Sequence, residues 1–201
     1  VKASAVGAAA IIGALAYSPG AQAAIAVFGG GEGEACWRAA LAVVLIHMDS
    51  ATEEARWKAA AIAVCDGAIA GPELSRRDLA STWVNRGILE MSRQSYKVAE
   101  DNFHQALKLS PNLAEAHVNL GSAMINMRQY EEALAETKLG IDLHSSEVER
   151  AWYNMGLAYE FEGRLQEAYD AYGTASKLKP DWDAPKTEMA RFTTRSVEVS
   201  K

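Results

Sequence analysis

Grouped catalytic or metal-binding residues are what this chain lacks most. Its four histidines (His47, His104, His117, His144) are scattered, with no H-E-x-x-H pair. There are only two cysteines, Cys36 and Cys65, and their spacing fits neither a zinc site nor a redox C-x-x-C. No G-x-S-x-G nucleophile elbow is present, and no Gly-Lys-Ser/Thr follows the glycines of 29–33, so that stretch is no phosphate loop. The paired carboxylates Glu53-Glu54 and Glu131-Glu132 fall at expected helix starts, where they complement the helix dipole as solvated faces. An enzyme is therefore not expected, and neither a cofactor nor a metal is called for. Basic charge is also short, with 20 Lys and Arg against 26 Asp and Glu, a net −6. Without a Lys/Arg stripe, and with Arg76-Arg77 too brief to make one, neither nucleic acid nor an anionic membrane is expected as the main partner. A hydrophobic fraction of 49% excludes general disorder.

What the chain does have is a period. Trp83-Val-Asn-Arg-Gly87, His117-Val-Asn-Leu-Gly121 and Trp152-Tyr-Asn-Met-Gly156 share one skeleton. Gly87 precedes Gly121 by 34 residues, and Gly121 precedes Gly156 by 35. Twelve residues after each glycine stands an alanine (Ala99, Ala133, Ala168), and seven further another small residue (Ala106, Gly140, Ala175). A repeat of this length marks a solenoid, whose units bury their apolar faces only against neighbours. Glycine inside a helix costs about 1 kcal/mol relative to alanine. Three in register imply close approach, and the expected contact is Gly87 against Ala99 within an antiparallel hairpin. Trp83, Tyr96 and Phe103 would fill the shoulders of the first unit, Leu120, Met124 and Tyr130 the second, and Trp152, Tyr159, Leu165 and Tyr172 the third. The extra residue of the longer interval is expected in the connection 144–147, since loops absorb insertions.

These residues resemble the tetratricopeptide repeat pattern W-x2-L-G-x2-Y, A-x3-F, a later Ala and a Pro. The first unit supplies Trp83, Gly87, Ala99, Phe103, Ala106 and Pro111 but has Arg86 and Glu90 in the Leu and Tyr places. The second keeps Leu120, Gly121 and Ala133, with His117, Thr137, Gly140 and Ser145 at weaker places. The third has Trp152, Gly156, Tyr159, Ala168, Tyr172, Ala175 and Pro180, with Met155 in the Leu place. The resemblance covers about residues 80–182. It implies an all-α solenoid of antiparallel helix pairs forming a right-handed superhelix, with units at 80–113, 114–147 and 149–182.

The resemblance further implies that the first helix of each pair lines a concave groove. Asn85, Asn119 and Asn154 recur there, each two residues before its glycine. An asparagine both donates and accepts, so a ladder of them suits a peptide backbone; equally, Asn at this place can brace the neighbouring helix. Ile88, Met91, Ile125, Arg150, Tyr153 and Phe161 complete the candidate lining. Such a wall, apolar with amides and few charges, fits an extended or helical peptide segment of a partner protein. The carboxylate clamp of some tetratricopeptide proteins is not expected, because Val84 and Ile88 stand where it wants Lys and Asn.

Around the repeats the sequence changes character. Lys2, the apolar run from Ala3 to Ala16, the breaker Ser18-Pro19-Gly20 and Ala21-Gln22-Ala23 read as a signal peptide over 1–23. The run is too short to span a bilayer comfortably; an uncleaved anchor is the competing reading. Export to the periplasm or the exterior is thus expected, with no membrane insertion after cleavage. Residues 24–34 read as a flexible leader and 35–74 as a capping helical hairpin, with Ser50 and Glu53 as a capping box and Gly71-Pro72 as its stop. Cys36 and Cys65 stand at nearly equal distances from the turn near Ser50, which sets them level in an antiparallel pair. A disulfide is expected in an oxidising compartment; two buried thiols are the alternative. A capping helix over 183–192 and a disordered tail over 193–201 close the chain. The function expected is an exported, non-enzymatic adaptor, scaffold or assembly factor, or alternatively a self-associating structural envelope protein with an empty groove.

Overall fold

A computed structural model describes residues 33–45, 51–72 and 74–198. The expected signal peptide, nearly all of the leader, His47 and the Ser50 turn lie outside these residues. Nine α-helices and no strand occur among the described residues: α1 (Gly33–Leu45), α2 (Ala51–Ala70), α3 (Arg76–Ser92), α4 (Tyr96–Leu109), α5 (Ala114–Asn126), α6 (Tyr130–Asp142), α7 (Val148–Phe161), α8 (Leu165–Leu178) and α9 (Asp183–Glu198). Helices α3–α4, α5–α6 and α7–α8 pack as hairpins, and each second helix packs on the first helix of the next pair. The first helices also meet directly, α3 with α5 and α5 with α7. This is the solenoid that the period implied.

Within each pair the turn is built the same way. Gln94, Arg128 and Gly163 take positive φ values of 62°, 63° and 77°. The next residue then donates its backbone N–H back into the first helix: Ser95 to Glu90, Gln129 to Met124 and Arg164 to Tyr159, at 2.9–3.0 Å. A left-handed residue flanked by this bond closes a helix by a Schellman-type cap. Only Gly163 meets the requirement without a Cβ penalty. The α6–α7 connection spans 143–147 where the α4–α5 connection spans 110–113, but α6 ends correspondingly sooner, and the longer interval shows in α7, which starts eight residues before Gly156 where α5 starts seven before Gly121.

Two of the three repeat glycines have a different partner from the one expected. A Cβ placed on Gly87 would run into the Phe103 ring, with Cζ at 2.8 Å and Cδ1 at 2.9 Å; all three nearest atoms belong to Phe103 and none to Ala99. A Cβ on Gly156 would sit 2.5 Å from Cδ1 of Tyr172. On Gly121 it would meet the Thr137 hydroxyl and, at 2.9 Å, the Ala133 carbonyl. In the first and third units the glycine therefore makes room for the ring sixteen positions on, whereas in the second it admits the backbone of the partner helix at Ala133, as expected. Ala99 and Ala168 are fully buried, but their small size serves the helix contact as a whole. Gly140 does show direct backbone approach, with the Ala114 carbonyl 2.9 Å from its hypothetical Cβ.

One apolar core runs through all three units and includes Val84, Ile88, Phe103, Leu120, Tyr153 and Tyr172. The N-terminal hairpin has its own small core of Cys36, Ala40, Ala61, Ile62 and Cys65, which meets α3 at Leu89. Cys36 and Cys65 face each other as a disulfide pair with Cα atoms 4.6 Å apart. Lys58 of α2 donates to the Ser92 carbonyl at 2.8 Å, tying the cap to the end of α3. At the other end α9 packs on α8. It runs to Glu198 instead of stopping near Phe192, so 193–198 are helical and not a tail. No glycine or proline follows Pro185 to stop it, and Pro185 itself sits in the first turn, where its missing N–H is harmless.

Candidate protein-interaction surface

The first helices set the candidate residues at repeating places, but burial separates them. Asn85, Ile88, Asn119 and Asn154 are fully buried, and Met91, Ile125, Arg150 and Tyr153 nearly so. Only Phe161 is open, at 50% exposure. The expected solvent-facing wall is thus absent from the structure. The cause for Ile88, Met91, Ile125 and Tyr153 is that they join the continuous core instead of facing out of it.

The three asparagines, though in register, are not equivalent. Asn85 and Asn119 both have polar partners. Asn154 has none: its amide nitrogen and oxygen are both buried and unbonded, as is the Ser122 hydroxyl on the adjoining first helix. A buried polar group left unpaired typically costs about 1–3 kcal/mol.

Arg150 and Tyr153 are brought together by Trp182. The Arg150 guanidinium lies 5.4 Å from the Trp182 ring, and the Tyr153 ring is 5.0 Å from it. Arg150 also pairs with Glu147; Nε and Oε2 are 2.7 Å apart, close enough for attraction but not aligned as a hydrogen bond. Burial pushes the Glu147 carboxyl up to about 7, against the pull of Arg150. Burial likewise lowers Arg150, to about 10, despite Glu147 and Glu149. Such a pair contributes little net stability, since desolvation offsets most of its attraction. Deeper in, Tyr172 donates to Glu160 at 3.0 Å, and Arg191 of α9 donates to the same carboxylate at 2.8 Å. Burial first, then Glu160, raises Tyr172 far above its ordinary value, so it remains a neutral donor. These contacts fasten the terminal helix and are structural.

Phe161 lies elsewhere, stacked on Tyr130 with ring centroids 5.4 Å apart. Leu165, also exposed, opens α8 four residues further along the chain. A partner contributed by a different unit, as Tyr130 is for Phe161, carries no signal in a single repeat.

Among the described residues no group of three or more His, Cys, Asp or Glu side chains could hold a metal ion. No described helix is long and apolar enough to cross a membrane. A recess of about 630 Å³ lies at the joint of the first two units, lined by Arg76, Arg77, Ala80 and residues 109–113.

With this geometry in place, comparisons with known proteins define the class. Residues 149–182 match the tetratricopeptide repeat family model. Among curated proteins, the chain is 26% identical over 92 residues to the E3 ubiquitin-protein ligase CHIP of Arabidopsis thaliana, covering 43% of this chain and 33% of that protein. The chain thus spans about a third of that relative's length. Among solved structures it is similar to MamA from Desulfovibrio magneticus RS-1, with a TM-score of 0.60, 19% identity, and 84% and 88% of the two chains covered. It is also similar to the second tetratricopeptide domain of human RPAP3, solved with an HSP70 peptide: TM-score 0.54, 23% identity, 59% of this chain and 98% of that one. The fold is therefore a tetratricopeptide-repeat solenoid, and its third unit carries the family's recognisable sequence.

Proposed function

We propose that this chain is a protein-interaction module that takes up a peptide segment of a partner protein along its first helices, acting as an adaptor or assembly factor after export. The observation that carries this reading is Asn154, a buried amide with neither atom satisfied in a helix of the lining set. Ser122 on the neighbouring first helix is in the same state. A peptide backbone offers one donor and one acceptor and so matches what Asn154 lacks. Because the residue is buried, binding must open this face as it forms, and the unmet hydrogen bonds favour the opened, occupied state. The similar human RPAP3 domain, solved holding a peptide, supports a peptide as ligand class.

The test separates binding from folding. The partner is captured by crosslinking in the native compartment, and the crosslinked segment is synthesised and titrated by calorimetry. Asn154→Leu should raise unfolding stability by about 1–3 kcal/mol, because an unsatisfied amide is replaced by an apolar side chain. The same change should weaken the peptide tenfold or more. Lower stability with unchanged affinity would show that Asn154 braces the fold and does not meet a ligand.

Export itself is checked by N-terminal sequencing of the protein from envelope fractions, with a start at Ala24 as the expected result. A second reading, self-association, is favoured by exposed Phe161, stacked on Tyr130, and by exposed Leu165 at the start of α8. Light scattering distinguishes the two: a stable oligomer that retains no peptide supports the second.

A further inference from the structure

We propose that His117 is a protonated latch across the joint of the first two units, and that it releases as pH rises. The ring sits on α5, only 7% exposed, in the place occupied by Trp83 and Trp152 in the other units. Its Nδ1 is 2.6 Å from Oε2 of Glu136 on α6. Its Nε2 is 2.9 Å from the carbonyl oxygen of Pro111, in the connection that ends the first unit.

Both partners are oxygens that accept. A peptide carbonyl can do nothing else, and an ionised carboxylate is acceptor-only. Neutral imidazole carries a single N–H and can satisfy just one of them. Two bonds at these distances therefore require one more proton than a neutral ring and a carboxylate hold together. With that proton, the ring donates in both directions and the ion pair with Glu136 is complete.

The electrostatics agree with this geometry. Burial, the largest influence, works against the charged ring, but the bonds to Glu136 and Pro111 and the Glu136 charge outweigh it, so His117 is held above its ordinary 6.5. Helices α3, α4, α6 and α7 all pack on α5. Of these, only α6 sets a charged group, Glu136, against the ring among the described residues. Glu115, two residues before it, is engaged with Ser146 of the next connection.

The consequence follows from the sign of the shift. A group raised on folding contributes stability that is complete below the unfolded value of 6.5 and is lost as pH climbs through the folded value. Loss of the proton frees either Pro111 or Glu136. Pro111 is also a wall of the recess shared with Arg76 and Arg77, so the latch holds that wall in place. The tryptophans of the first and third units cannot titrate, so neither of those places carries an equivalent latch.

The experiment uses the full chain and long-range ¹H–¹⁵N spectra of the imidazoles, with His117 assigned from His117→Gln. At pH 6 both His117 nitrogens should be protonated, and the ring should titrate above 6.5. Glu136→Gln, at a partly exposed position that tolerates it, should lower that titration by roughly one unit. Thermal midpoints should fall for the native chain as pH rises through the His117 titration, and fall less for Glu136→Gln. A His117 titration at or below 6.5, or identical midpoint profiles for the two proteins, would overturn the latch.

Discussion

Replacing Cys36 and Cys65 together by alanine should lower the stability of the N-terminal hairpin by about 3–4 kcal/mol. The pair closes a loop with a sequence separation of 29, and the chain-entropy account assigns about that much to a loop of this size. The hairpin's own core is short, built largely from alanines around the two sulfurs; it meets the repeats through Leu89, through Trp37 against their core, and through the Asp66–Arg86 ion pair and the Lys58 bond to Ser92. Stability in a solenoid is close to a sum of unit and interface terms, so a terminal unit weakened this far unfolds before the others. Two transitions should then replace one in a thermal melt followed by circular dichroism, the earlier carrying the α1–α2 signal. Both sulfurs are fully buried, so reductant should act slowly on the folded protein and quickly once α1 and α2 open. Two free thiols in the native protein as isolated, or a melt indifferent to the double substitution, would refute this role for the pair.

The sequence is most informative where the period is mechanical. The register of Gly87, Gly121 and Gly156 locates three hairpins. These are local consequences of helix geometry, and a single chain displays them. Burial is another matter. Ile88 and Tyr153 occupy lining places by their angle on the helix, but the core that encloses them is set by how neighbouring units close, which no period encodes. The same holds for His117, whose partners lie six and nineteen residues away in two different elements. The end of α9 differs from expectation for a simpler reason: residues 193–198 have little apolar patterning, yet none of them breaks a helix.

The role of the repeat glycines can be decided by a double-mutant cycle between Gly87 and Phe103. Phe103 is fully buried, and Phe103→Ala alone should destabilise by about 3–5 kcal/mol through the cavity it leaves. Gly87→Ala alone brings two opposing effects. Helix propensity favours alanine by about 1 kcal/mol. Against it, the new methyl collides with a ring that has no space to swing into, an overpacking worth about 1–3 kcal/mol. The net outcome expected is destabilisation. With Phe103 already truncated the collision is gone, the methyl fills part of the vacated volume, and Gly87→Ala should become stabilising by about 1 kcal/mol or more. That reversal of sign is a coupling well outside the few tenths by which independent sites depart from additivity. If the glycine instead existed to let the Ala99 backbone approach, truncating Phe103 would change nothing. Gly87→Ala would then cost the same in both backgrounds. Chemical denaturation of the four proteins, with unchanged m-values as the control for a common unfolded state, separates the two accounts.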